Sequence, residues 1–162
     1  MADDFGASVG AGNLGAIGVG GSVSGSLEAG GDHDWFRVTL AAGQSYIFNM
    51  DKGSLPDPLL TLRDQNGVSI VSNDDIVTNV NFNSQIRFTA TVSGTYYLDA
   101  FSSDGSQQTG TGTYTVRAAI DPNPPASTDD YAAQVGSPNV GMVAIGGSTT
   151  GNLETPGDSG GL

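Results

Sequence analysis

The 162-residue chain has no cysteine, a single histidine and only five lysines and arginines. Without cysteine there is no disulfide staple and no CxxC metal or redox motif. With His33 as the one imidazole, zinc chemistry built on His and Cys ligands is excluded. Seventeen acidic residues against five basic ones leave a net charge of −12. That balance works against nucleic acid and anionic membrane surfaces, and favours a soluble, extracellular, cation-binding role. No apolar run approaches the roughly 18 residues of a membrane span. The opening MADDFG has neither the basic nor the apolar region of a signal peptide, and no segment carries a convincing amphipathic-helix pattern.

What is present is alternation between frequent turns. WFRVTL places Phe36, Val38 and Leu40 on one face; SYIFNM does the same for Tyr46, Phe48 and Met50. SQIRFTATV groups Ile86, Phe88, Ala90 and Val92. GTYYLDAF sets Tyr96, Leu98 and Ala100 against Tyr97, Asp99 and Phe101, and GTYTVRA groups Tyr114, Val116 and Ala118. LLTLRDQNGVSIVS outlines a hairpin turning at Asp64-Gln65-Asn66-Gly67, where Asn-Gly supplies positive φ. Short strands between many turns predict an all-β fold, an antiparallel, jelly-roll-like β-sandwich.

The chain also repeats itself. Asp3–Asp32 and Asp129–Asp158 match without a gap at an offset of 126, from Asp3-Asp4-Phe5 against Asp129-Asp130-Tyr131 to Leu27-Glu28 against Leu153-Glu154. This divides the sequence into a complete unit at 1–119, a Pro-rich linker at 120–128 and the truncated start of a second repeat at 129–162, and it implies a longer parent chain with tandem units. It also disposes of the closing PGDSGGL, which carries the Gly-Asp-Ser-Gly-Gly signature of a serine protease nucleophile. Gly157-Asp158 is the counterpart of Gly31-Asp32, and the one His sits in GDHDWF, which is no protease histidine motif. A Ser159 nucleophile would lack its base, so no catalytic residue is assigned.

The order Asp-x-Asp-Trp-Phe, Asp-Pro-x-Leu, Asn-Asp-Asp, Gly-Thr-Tyr-Tyr and Gly-x-Tyr over about residues 3–119 resembles the bacterial pre-peptidase C-terminal domain. The resemblance implies a jelly-roll-like sandwich from a secreted bacterial protein, without catalytic activity. Such domains occur beside peptidase domains and in repetitive secreted or surface proteins, and related collagenase modules bind calcium and collagen.

Two calcium sites are expected. The resemblance implies the first, with Asp3 and Asp4 of the acidic opening meeting Asp32 and Asp34 of GDHDWF; the glutamate that usually precedes that opening is absent. Ca²⁺ takes six to eight oxygens, and two acidic pairs would supply a good part of them. The second follows from spacing. Asp57 lies about as far before the hairpin turn as Asp74 lies after it, so antiparallel pairing brings both to the open end, with Asn73 and Asp75 alongside. Whether Asp99 and Asp104 contribute from a neighbouring loop is not decided by the sequence. The competing reading of all these residues is turn chemistry.

Other features carry less. His33 reads as a solvated turn residue. Tyr97 and Phe101 offer a partly exposed aromatic patch, whereas Trp35, Phe36 and Phe48 read as core. GAGNLGAIGVGG has no strand before it and no helix after it, so it is not a phosphate loop. The expected function is a non-enzymatic, calcium-binding accessory module, secreted or on the bacterial cell surface. It would stabilise, space or anchor neighbouring domains of its own chain. The alternative is a module that binds extracellular carbohydrate or a protein fibre.

Overall fold

In a computed structural model, residues 3–78, 80–103 and 110–124 are described. The second repeat copy, Ser159 and Asp104 lie outside them. The elements are β1 (Gly15–Ala16), β2 (Ser22–Leu27), β3 (Asp34–Leu40), β4 (Ser45–Lys52), β5 (Pro58–Arg63), β6 (Ser69–Asn73), β7 (Ser84–Thr89), β8 (Gly94–Ser102) and β9 (Gly112–Ile120). They form a five-stranded sheet of order β1-β3-β8-β5-β6 and a four-stranded sheet of order β2-β9-β4-β7. Every ladder is antiparallel except the two-residue pairing of β1 with β3. The protein is an all-β sandwich.

The period-two patterns set the core. Phe36, Val38, Leu40, Leu60, Leu62, Leu98 and Ala100 from the first sheet face Tyr46, Phe48, Met50, Ile86, Tyr114, Val116 and Ala118 from the second, all buried. Each large side chain here contributes on the order of 1.5–3 kcal/mol by leaving water. Val92 departs from its expected place. β7 ends at Thr89, and Val92 lies exposed in the following turn.

The hairpin forms where Asn-Gly places it. Gly67 has φ 81°, a conformation that glycine adopts without strain. Asp64 Oδ1 accepts the Asn66 and Val68 backbone N–H groups at 2.9 and 2.8 Å. These bonds, Val68's foremost, hold the Asp64 carboxyl below the usual range. Gly67 lies against the ring of Trp35, so the turn folds back over the outer face of the first sheet.

Around Trp35, Tyr97 and Phe101 that outer face is closed rather than solvated. Trp35, Tyr97 and Phe101 are only 8%, 6% and 7% exposed. The Arg63 guanidinium lies over Trp35 at 4.8 Å, Trp35 packs on Tyr97 at 5.7 Å, and His33 stacks on Phe101 at 4.3 Å. The exposed aromatic patch expected at Tyr97 and Phe101 is therefore not formed, because long flanking side chains lie flat across it.

Asp99 sits at the centre of this layer, fully buried. It accepts Arg63 Nε and Nη2 at 2.9 and 2.7 Å and His33 Nδ1 at 2.9 Å. Asp99 is thus a strand residue neutralised by its neighbours, not a loop contributor to a metal site. His33 is half-buried and bonded, not a freely solvated turn residue. At the other edge, Ile120 closes β9, and Asp121 N donates to Ser45 O at 2.9 Å. Arg87 Nη1 reaches the Asp121 carboxylate at 2.6 Å.

Candidate metal centre

The turn between β2 and β3 spans only Glu28 to His33 and is drawn tight by its own aspartate. Asp32 Oδ2 accepts Glu28 N at 2.8 Å, and Asp32 N donates to Ala29 O at 3.2 Å. The opening residues reach the same place from the other side. Asp3 Oδ1 accepts Phe5 N at 3.1 Å, the local turn bond typical of an aspartate. Phe5 packs on Phe36 with centroids 4.8 Å apart, which fixes the pair before it. Asp4 Oδ2 accepts Ser26 N at 3.1 Å, an outward N–H of the edge strand β2.

Carboxylates from three stretches of chain converge as a result. Oxygens of Asp3, Asp32 and Asp34 lie within 4.8 Å of one another, and so do those of Asp3, Asp4 and Glu28. Asp3, Glu28 and Asp32 line an open cleft of about 260 Å³. Among the described residues, the ion pairs are His33–Asp99, Arg63–Asp99, Arg87–Asp121 and Arg117–Asp51. None of them brings a cation to the cluster.

Asp34 is the anomalous member. It opens β3 on the inward side, in line with Phe36, and is 0% exposed. Its Oδ2 accepts the phenol of Tyr114 from the opposite sheet. Its Oδ1 is buried and has no hydrogen-bond partner, and the same is true of Glu28 Oε2. Burial raises the Asp34 carboxyl to about 8, with repulsion from Asp4, Asp32 and Glu28 adding to it against the Tyr114 bond. Asp4 and Asp32 are raised too, by desolvation first and by the neighbouring carboxylates after it. A cluster that pushes its own members toward protonation lacks a positive charge.

These residues lie in and beside the stretch that a family model recognises. Residues 32–102 match the bacterial pre-peptidase C-terminal domain. Over those residues the chain is similar to that domain. The pre-peptidase C-terminal domain of collagenase from Bacillus anthracis is similar in fold, at 23% identity and TM-score 0.50, over 65% of this chain and 93% of that one. Also similar are PliG, a periplasmic inhibitor of g-type lysozyme from Aeromonas hydrophila (16% identity, TM-score 0.49, 67% of this chain and 97% of that one), and CorA, a surface-associated copper-binding protein of Methylomicrobium album BG8 (12% identity, TM-score 0.47, 67% and 98%). No curated protein matches the chain. The pre-peptidase C-terminal domain is a non-catalytic accessory module of secreted proteins.

In the sandwich, the acidic pairs Asp3–Asp4 and Asp32–Asp34 come together, and Glu28 joins them. Glu28 carries no ligand signal of its own in the sequence, although it stands four residues before Asp32 and recurs as Glu154 in the second copy.

At the hairpin end, Leu60 pairs with Asn73, so Asp57 and Asp74 lie near one another but not directly opposite. Ser103 N donates to Asp57 O at 2.9 Å and Ser103 Oγ to Asp74 Oδ2 at 3.2 Å, so one serine joins the two strands. The side chains of Asn73 and Asp74 are spent locally, however. Asn73 Oδ1 accepts Gln85 N at 2.8 Å, Asn73 Nδ2 donates to Asp75 O at 3.1 Å, and Asp74 Oδ1 accepts Asp75 N at 2.9 Å. Among the described residues, no three carboxylates of this end meet within 4.8 Å.

Proposed function

We propose that this domain is a calcium-binding, non-catalytic accessory module that stabilises, spaces or anchors a longer secreted bacterial chain. The observation that carries the reading is Asp34, whose Oδ1 is buried with no hydrogen-bond partner and whose carboxylate lies within 4.8 Å of those of Asp3 and Asp32, in a cluster that no ion pair among the described residues reaches. A buried anion of this kind is costly unless paired. An all-oxygen donor set of several carboxylates in an open cleft fits Ca²⁺, which tolerates irregular shells. It fits poorly with Mg²⁺, which demands a near-octahedral shell and is usually shared with phosphates. Asp3 and Asp4 precede the first strand, whereas Glu28, Asp32 and Asp34 lie at the β2–β3 turn. A shared ion would tie the opening segment to the sandwich and stiffen the entry into the domain.

Thermal unfolding tests this. A ligand that binds only the folded state stabilises it by about 2.7 kcal/mol at a hundredfold excess over Kd. The expected result is a rise in melting temperature from EDTA to millimolar Ca²⁺ that Mg²⁺ does not reproduce. Identical melting in all three conditions refutes the reading. The carbohydrate-binding alternative needs an exposed aromatic row, and Trp35, Tyr97 and Phe101 do not offer one.

A further inference from the structure

The first sheet ends on one side at β6, and among the described residues no strand pairs with the outer edge of β6. That edge presents backbone N–H and C=O groups in extended order, a template for a further strand. Natural edges are guarded by lysine, proline or an inward charge. β6 has none of these, for its sequence is SIVSN. The one irregularity of its ladder falls between Leu62 and Arg63, beside the turn, and Val71 to Asn73 keep a regular register with Leu62 to Leu60.

The edge is apolar as well as open. Of the ten large apolar side chains exposed among the described residues, six lie between Val68 and Val80, on β6 and in its flanks. From Gln65 to Ile86 the sequence carries only two charges, Asp74 and Asp75, in a chain of net charge −12. Two copies of so acidic a chain repel each other over most of their surface, and this stretch is where they repel least. The same two aspartates choose the orientation. Parallel pairing of two β6 strands would set Asp74 and Asp75 beside their own copies. Antiparallel pairing about a twofold axis near Ile70 sets them beside the Gln65–Gly67 turn of the other molecule, which has no charge. Asp64, just before that turn, directs Oδ1 to the backbone N–H groups of Asn66 and Val68.

We propose that β6 is a self-association edge, through which two copies of this chain pair antiparallel and join their five-stranded sheets across a twofold axis. The contact is isologous, so it closes at two molecules. A single strand pair with apolar flanks is a small interface of the transient kind, so the dimer forms only at high protein concentration.

The test is sedimentation velocity of the full chain from the micromolar to the millimolar range. EDTA is present throughout, so that no ion bridges the acidic groups of two molecules. Wild type is compared with Ile70→Lys and with Val19→Lys, an exposed apolar position in the turn before β2. Wild type should pass from monomer to dimer and stop there. Ile70→Lys should stay monomeric, because it sets two ammonium groups face to face at the axis. Val19→Lys should dimerise as wild type does. Both variants lose the same amount of negative charge, which by itself favours association, so a loss confined to Ile70→Lys reads the edge. Should Ile70→Lys fail to fold, Ser69→Lys, also at an exposed position, carries the test with the same expectation. A dimer that these β6 variants leave intact overturns the inference, as does growth beyond two molecules. Wild type that is monomeric at every concentration also overturns it, and leaves the edge to an extended segment of another protein.

Discussion

Asp34 and Asp99 are both fully buried aspartates near the same end of the first sheet, paired in adjacent strands one position out of register. They point to opposite faces and meet opposite fates. Asp99 looks outward and is surrounded by donors, a two-nitrogen grip from Arg63 and a bond from His33. Asp34 looks inward and meets one phenol and a group of carboxylates. The chain has few basic residues to distribute, five in all, and one of them is committed to Asp99. The comparison separates a carboxylate whose counter-charge is built into the fold from one that, on the proposed calcium reading, takes its counter-charge from solution.

The strongest way to break the comparison is to deprive Asp99 of its arginine. Arg63→Ala leaves a buried carboxylate with only His33 and also uncovers the ring of Trp35. Removing one partner of a buried pair costs about 3–5 kcal/mol. The lower end applies here, because the guanidinium is partly exposed and His33 remains. Denaturant unfolding should show that loss equally in EDTA and in Ca²⁺, since no ion replaces Arg63. A loss that calcium repairs would mean that the two aspartates are not of different kinds.

The second way is pH. With no cation bound, Asp34 titrates at about 8 in the folded protein against 3.8 for an unperturbed aspartate. Between those values the folded state holds a proton that the unfolded state has released, so stability falls as pH rises. Melting temperature in EDTA should therefore decline from about pH 4 to pH 8. Asp34→Asn, which cannot ionise, should flatten the decline and at pH 8 melt no lower than wild type in EDTA. The same variant should lose most of the calcium-dependent rise. A wild-type melting temperature that climbs steadily to pH 8 in EDTA would contradict the assignment.

The two aspartates also mark what was legible in the sequence. Alternation in WFRVTL, SYIFNM and GTYTVRA identified the core faces, and Asn66-Gly67 identified the hairpin turn. Both signals are local, set by strand period and by the φ that a turn requires. Asp99 was legible as a strand residue opposite Leu98, but not as buried. Period two says which side chains share a face and nothing about what lies across it. Here Arg63, His33 and the Gly67 turn arrive from positions distant in sequence. Glu28 was missed for a related reason. A lone glutamate after a strand looks like any solvated residue until the turn folds it against Asp3 and Asp4. Asp3, Asp4, Asp32 and Asp34 were grouped through the family resemblance, not through spacing.

The smallest expected effect separates the acidic cluster from the hairpin end. Asp74 is bonded to Asp75 N and to Ser103 Oγ, and Asn73 is spent on Gln85 and Asp75. Those bonds are what turn residues make at the mouth of a hairpin. Asp74→Asn keeps an oxygen for one of them and removes one negative charge from an exposed position. Surface changes of this sort stay within about 0.5 kcal/mol, so melting in EDTA should hardly move, and the calcium-dependent rise should remain at its wild-type size. Asp32→Asn, measured beside it, should reduce that rise, because Asp32 lies within reach of both Asp3 and Asp34. If Asp74→Asn instead reduces the rise as much as Asp32→Asn does, the hairpin end holds an ion as well. The pairing of Asp57 with Asp74 across Ser103 would then be the frame of a second site rather than the close of a turn.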